Sequence, residues 1–155
     1  RREAGSYGKK VKGLNRIHQF GKVEIIEISD NKKSNIRLNN MLNHIKNLLK
    51  SLKLIFRILL LPSYDISFTS SITYDFEVYS VGQKIWLEVS SLSNCLDYQS
   101  YNLNIKYKNY NNKIKYCHTL NGSSLSIPRI LATIIELYQK KTKIEIPSIL
   151  LPFYK

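Results

Sequence analysis

Three separated stretches of this chain bring together residue types that can grip phosphate, stack on a ring and ligate a hard cation. The first is Arg1-Arg2-Glu3-Ala4-Gly5-Ser6-Tyr7-Gly8, followed by Gly13-Leu14-Asn15-Arg16-Ile17-His18-Gln19-Phe20-Gly21-Lys22-Val23-Glu24. A guanidinium such as Arg1 or Arg16 can hold phosphate oxygens through two parallel hydrogen bonds. The ring of Phe20 can stack on a purine, and Glu24 suits a cationic amine. The same pattern also fits an ordinary amphipathic edge strand with Phe20 in the core. The second stretch is Glu88-Val89-Ser90-Ser91-Leu92-Ser93-Asn94, whose carboxylate and hydroxyl oxygens are the ligands Mg²⁺ prefers when phosphates complete its shell. Read blandly, it is a serine-rich strand end. The third runs His118-Thr119-Leu120-Asn121-Gly122-Ser123-Ser124-Leu125-Ser126-Ile127-Pro128-Arg129, where a polar strand end meets a helix start that carries Arg129. A serine-capped helix with a surface arginine reads the same way.

Elements must position these groups. Gly5, Gly8 and Gly13 among Lys9, Lys10 and Lys12 predict a basic loop, and Arg16–Ile28 predicts the strand that follows. On one regular strand Arg16, Phe20 and Glu24 share parity and would emerge from one face. Asp30–Ser34 is turn-like. Leu38, Met41, Leu42, Ile45, Leu48, Leu49 and Leu52, spaced by three and four, predict an amphipathic helix. The apolar run Leu54–Leu61 reads as a strand stopped by Pro62. Further strands are expected at Thr73–Ser80, Lys84–Ser91 and Leu103–Lys108, the last turning through Asn109–Asn112 into Lys113–Leu120 as a hairpin. Pro128 opens a helix to about Lys140 with Ile130, Leu131, Ile134, Ile135 and Tyr138 on its apolar side. Ile146–Lys155 is expected to be extended. The sum is an α+β domain on a mainly antiparallel sheet flanked by helices.

Composition narrows the function classes. The 155 residues suffice for one domain with a core, and the net charge of +13 favours a polyanionic partner such as nucleic acid. Lysines scattered by a Lys-, Asn- and Ile-rich composition, as AT-rich coding DNA produces, account for that charge equally well. Cys95 and Cys117 lack metal-ligand spacing and are expected as reduced, partly buried thiols. The longest apolar run is broken by Arg57 and is too short to span a bilayer, so no membrane partner is expected. No signal or transit peptide is visible at the N-terminus.

Taken in order, these clusters resemble the seryl-tRNA synthetase family. Arg1 to Glu24 resembles its second class II motif, R-x-E-A-G-S-x-G, a basic loop, then G-L-x-R-x-H-Q-F-x-K-V-E. Tyr74-Asp75-Phe76-Glu77-Val78 resembles Y-D-[IL]-E-[VA]-W, with Tyr79 where the family usually has Trp, and Glu88 to Asn94 resembles E-V-S-S-x-S-N. Asp97-Tyr98-Gln99 followed by Asn104-Ile105-Lys106-Tyr107 is similar to D-F-Q-x-x-x-x-N-I-R-Y. His118 to Arg129 resembles the third motif, H-T-L-N-G-S-x-L-x-x-x-R, which would extend over 118–136, and Ile146 to Tyr154 resembles the family's closing I-P-x-x-L-x-P-Y. The chain departs from the pattern at Tyr101 and Asn102, where the family usually carries arginines, and at Tyr64-Asp65-Ile66-Ser67, where it carries Gly-Asp-Leu-Gly.

The resemblance implies a partial class II catalytic domain over 1–155 that activates L-serine with ATP and Mg²⁺ and passes it to the 3′ end of tRNA(Ser). It implies that Arg1 holds the α-phosphate and Arg129 the γ-phosphate, with Arg2, Glu3, Ile17, Phe20, Glu88, Val89, Ser90 and Ser91 also at ATP. Glu88 and Ser91 would act through Mg²⁺. Glu24, Asn121 and Ser123 would bind serine, and Lys9, Lys10 and Lys12 would meet the tRNA acceptor stem. The full-length protein is expected to be a homodimer in the cytoplasm or, by the composition and the bacterial wording of the motifs, in a plastid or mitochondrion. The N-terminal tRNA-binding arm and the first motif are expected to be missing from these residues, and the isolated piece to be inactive. The alternatives are a non-catalytic relative that keeps the fold and one that charges carrier proteins instead of tRNA.

Overall fold

The structure, a computed structural model, describes residues 13–154. Arg1, Arg2, Glu3, Lys9, Lys10 and Lys12 lie outside the described residues.

The spacing of three and four in the first apolar series is realised in α1 (Ser34–Ser51), where Leu38, Met41, Ile45 and Leu49 are all buried. Lys33 provides no side-chain cap. The Asp30 carboxylate instead accepts the backbone N–H groups of Lys32 and Lys33, each at 2.9 Å, just before the first turn. The helix ends as Lys53 turns into the left-handed region (φ 53°) and the N–H of Leu54 returns to the carbonyl of Leu49 at 3.2 Å.

Five strands, β1 (Lys22–Ser29), β2 (Phe56–Leu60), β3 (Ile72–Ser80), β4 (Ile85–Asn94) and β7 (His118–Ser126), form one sheet in the order β1-β7-β4-β3-β2. Every neighbouring pair is antiparallel. A separate hairpin joins β5 (Lys106–Lys108) to β6 (Ile114–Tyr116), and the remaining helices are α2 (Tyr98–Leu103) and α3 (Ile127–Tyr138). The architecture is the expected α+β arrangement on a mainly antiparallel sheet.

Alternation along the strands gives the sheet two unlike faces. One carries Phe76, Val78, Leu92 and Leu120, all fully buried, and packs under α1 and α3 in a single core with Ile45, Leu49, Ile130 and Ile134. The other carries polar groups paired across strands: Glu24 with Ser123, Asn121 with Ser93, and Ser91 with Asp75. Between Phe76↔Ser90 and Glu77↔Glu88 the register shifts, leaving Val89 as an extra residue in β4. That bulge brings Glu88 and Ser91 to the same polar face despite their odd spacing.

Four expectations are corrected. The first strand begins at Lys22 rather than Arg16, because Gly13 (φ 61°) opens a 3-10 turn, Gly13–Asn15, that is tied to α3. Arg16 and Phe20 therefore precede the strand that holds Glu24, and the shared-parity reading fails. Residues 98–103 are helical, and only Lys106–Lys108 of the expected Leu103–Lys108 strand is extended. The expected Lys113–Leu120 strand divides at Cys117, whose N–H bonds to Ile105 O at 3.3 Å, before His118 enters the large sheet. The tail forms a 3-10 helix, Ser148–Phe153, instead of an extended segment. No described helix is long and apolar enough to cross a membrane.

Candidate active site

The loop before β1, the β4 bulge and the β7–α3 junction converge on one cleft of about 130 Å³ at the edge of the polar sheet face. Phe20, Lys22, Glu88, Val89, Ser123, Ser126 and Arg129 line it. Arg129 organises it. Its Nε donates to Asn15 O at 3.1 Å, and a second N–H donates to Glu88 O, so one side chain joins the 3-10 turn to β4. Two of the five guanidinium donors are used this way, and the head group still borders the cleft. Pro128 in the first turn of α3 fixes the backbone from which Arg129 projects. Beneath the cleft, Leu14, Asn15, Arg16 and Ile17 meet Phe20, Ser126 and Arg129 around a narrow recess.

Of the residues singled out in the sequence, Phe20, Glu88, Val89, Ser123 and Arg129 thus share one cavity, with Ile17 beside it. Glu24, Asn121 and Ser91 extend the same sheet face beyond the cleft wall. Val89 is 2% exposed and offers only an edge to the cavity. The hydroxyl of Ser90 turns inward and donates to Ser123 O at 2.5 Å, bracing β4 against β7. Val89 therefore shapes the site as the extra residue of the bulge, and Ser90 through its hydroxyl on Ser123 O.

Several contributors escaped the sequence reading. Lys22 pairs with Glu24, Nζ to Oε1 at 2.8 Å, so the carboxylate already sits in a cation-binding geometry. The amide of Asn121 donates to the buried thiol of Cys95 at 3.6 Å, which holds its orientation. Gly122 has no room for a side chain: a Cβ would lie 2.1 Å from a Leu92 methyl and 2.6 Å from Ser91 O. Asp75, directly across from Ser91, has a buried Oδ1 with no hydrogen-bond partner. Burial pushes its carboxyl above the ordinary carboxylate value. A hydrogen bond from Ser91 opposes that rise, while Glu77 and Asp65 reinforce it. The register of β3 against β4 is the signal that would have found Asp75.

Chemically, the face offers a ring beside a guanidinium, carboxylates next to hydroxyls, and a polar strand floor. Among the described residues no three His, Cys, Asp or Glu side chains cluster as a metal cage. Glu88 with Ser91 suits a cation that takes most of its ligands from phosphates and water, as Mg²⁺ does.

Residues 1–138 match the tRNA synthetase class II core domain (G, H, P, S and T), and the chain belongs to that family. It is similar to the serine–tRNA ligase of Methylacidiphilum infernorum, with 46% identity over all of this chain and 37% of that protein. Among solved structures it is similar to seryl-tRNA synthetase from Pyrococcus horikoshii complexed with ATP, at TM-score 0.88 and 31% identity over 96% of this chain and 34% of that one. The cytoplasmic serine–tRNA ligase from Naegleria fowleri in complex with AMP aligns at TM-score 0.83 and 28% identity, over 91% of this chain and 34% of that one. The chain spans little more than a third of the length of the curated relatives it matches.

Proposed function

We propose that the whole protein is a serine–tRNA ligase. The carboxylate of L-serine would attack the α-phosphorus of ATP, the bond to the β-phosphate would break, and pyrophosphate would leave. A hydroxyl at the 3′ end of tRNA(Ser) would then attack the seryl carbonyl, the bond to the adenylate phosphate would break, and AMP would leave. The observation that carries this reading is the convergence of Phe20, Glu88, Ser123 and Arg129 on one cleft, continuous with Glu24 and Asn121.

In this reading Phe20 stacks on adenine with Ile17 beside it, and Arg129 receives the γ-phosphate. Arg1 holds the α-phosphate, with Arg2 and Glu3 also contacting ATP. Mg²⁺, held by Glu88 and Ser91, would neutralise phosphate charge. Glu24 exchanges its pairing with Lys22 for the α-amino group of serine. Asn121 and Ser123 face the substrate hydroxyl, so a substrate lacking that group leaves polar partners unpaired. Lys9, Lys10 and Lys12 steer the acceptor stem by phosphate contacts that carry no sequence information. Catalysis rests on positioning and on charge stabilisation by Arg1 and Arg129. The whole protein would be a homodimer, and the Lys-, Asn- and Ile-rich composition favours an organelle over the cytoplasm. The 155-residue piece alone is expected not to turn over.

Charging assays with the full-length protein test the reading. It requires transfer of serine to tRNA(Ser), with alanine poor by at least about a hundredfold. Equal charging of alanine would overturn the assignment of Asn121 and Ser123.

A further inference from the structure

Five of the eleven tyrosines, Tyr98, Tyr101, Tyr107, Tyr110 and Tyr116, fall within nineteen residues. The segment 97–117 also holds Lys106, Lys108, Lys113 and Lys115 against a single carboxylate, Asp97. The fold gathers part of this set into one surface. Tyr101 of α2 meets Tyr116 of β6 at 5.1 Å between ring centroids, and Lys106 Nζ lies 4.9 Å from the centre of the Tyr116 ring. Tyr98 makes an edge contact with Phe68 at 5.9 Å. Tyr98, Tyr101 and Phe68 are open to solvent, Tyr101 at 64% and Phe68 at 85%, and Tyr116 is half-buried between Tyr101 and Lys106. An open concavity of about 420 Å³ is lined by Asp97, Tyr98, Tyr101 and Asn102.

The surface is fixed to the polar sheet face. The Thr119 hydroxyl of β7 donates to Gln99 Oε1 at 2.8 Å, and Ser100 donates to Cys117 O, so α2 is strapped to the strand that carries Asn121 and Ser123. The antiparallel register Lys106↔Tyr116 and Lys108↔Ile114 puts Lys106, Lys108 and Tyr116 on one side of the hairpin. Protein-binding patches are depleted in lysine, whereas open ring faces among lysines suit unpaired nucleotides, whose bases stack while their phosphates meet the ammonium groups. Duplex bases are already stacked and cannot use the rings.

We propose that the α2–hairpin rim binds unpaired nucleotides of the RNA strand as it approaches the sheet, with Tyr101 and Tyr116 as stacking platforms and Lys106 and Lys108 as phosphate contacts. The inference rests on the tRNA-ligase reading for the identity of the strand. In the full-length protein, the paired substitutions Tyr101→Leu and Tyr116→Leu are expected to raise KM for tRNA about tenfold while leaving serine-dependent ATP–pyrophosphate exchange unchanged. Tyr101→Phe with Tyr116→Phe should retain near-native KM. An unchanged KM in the leucine variant, or an equal loss in the phenylalanine variant, would overturn the proposal. If the leucine variant does not fold, Lys106→Gln with Lys108→Gln decides: KM must rise severalfold, with a shallower salt dependence. Wild-type protein without serine-dependent exchange would instead remove the ligase reading. Binding of a labelled single-stranded oligoribonucleotide, weakened in the lysine variant, would then still support the rim, and equal binding by both proteins would reject it.

Discussion

Asp75 and Arg129 border the polar sheet face, one as a buried carboxyl and the other as a bridge between the 3-10 turn and β4. The folded-state pKa of Asp75 is raised, chiefly by burial, so its protonated form favours folding. That contribution is complete below the unfolded pKa and is lost as pH rises through the folded pKa. Asp75→Asn, neutral throughout, should therefore show a smaller decline in Tm than the parent as pH rises above about 4, the ordinary aspartate value. Parallel Tm profiles would contradict the assignment. Arg129→Lys keeps the charge but cannot bridge Asn15 O and Glu88 O with one planar fork. We expect it to lose about 1–3 kcal/mol of stability by urea unfolding, with KM for ATP in the full-length protein raised about tenfold. The motif wording made Arg129 legible from sequence, whereas its structural partners, separated by 114 and 41 residues, were not. Asp75 lay within a recognised motif, yet only the cross-strand pairing with Ser91 gave it a role.

At the scale of elements, the central contact is between β4 and β7, where Gly122 allows the strands to close. In Gly122→Ala the Leu92 methyl could rotate away, but Ser91 O at 2.6 Å belongs to the backbone. The substitution should cost about 1–3 kcal/mol or more, measured as a lower urea midpoint with an unchanged slope. Phe76→Ala, at a fully buried position, should cost about 3–5 kcal/mol through the cavity it leaves. The long periodic helix α1 and most of the sheet were legible because their apolar spacing repeats over many residues. Helix α2 was not, since six residues carry too little period to distinguish a turn of helix from a strand. Nor was the Val89 bulge, since a single extra residue leaves the composition of β4 unchanged. The late start of β1 follows from Gly13 and from the tie between Asn15 and Arg129, a contact made only once the chain is folded.

On the scale of the whole molecule, α1 and α3 cover one face of the sheet, and the other is largely polar, with α2 tied to it at Thr119. Ile26 and Ile28 of β1 are 75% and 55% exposed there, at an edge of the sheet. A chain that spans little more than a third of its relatives' length brings ring, guanidinium and carboxylate groups together in one cleft. The proposed reaction at this cleft is the activation of serine with ATP. Serine-dependent exchange of pyrophosphate into ATP by the full-length protein, in the absence of tRNA, measures that step directly. Exchange that saturates with serine and is lost in Arg129→Ala is expected. No exchange at saturating serine and ATP, by folded full-length protein, would contradict it.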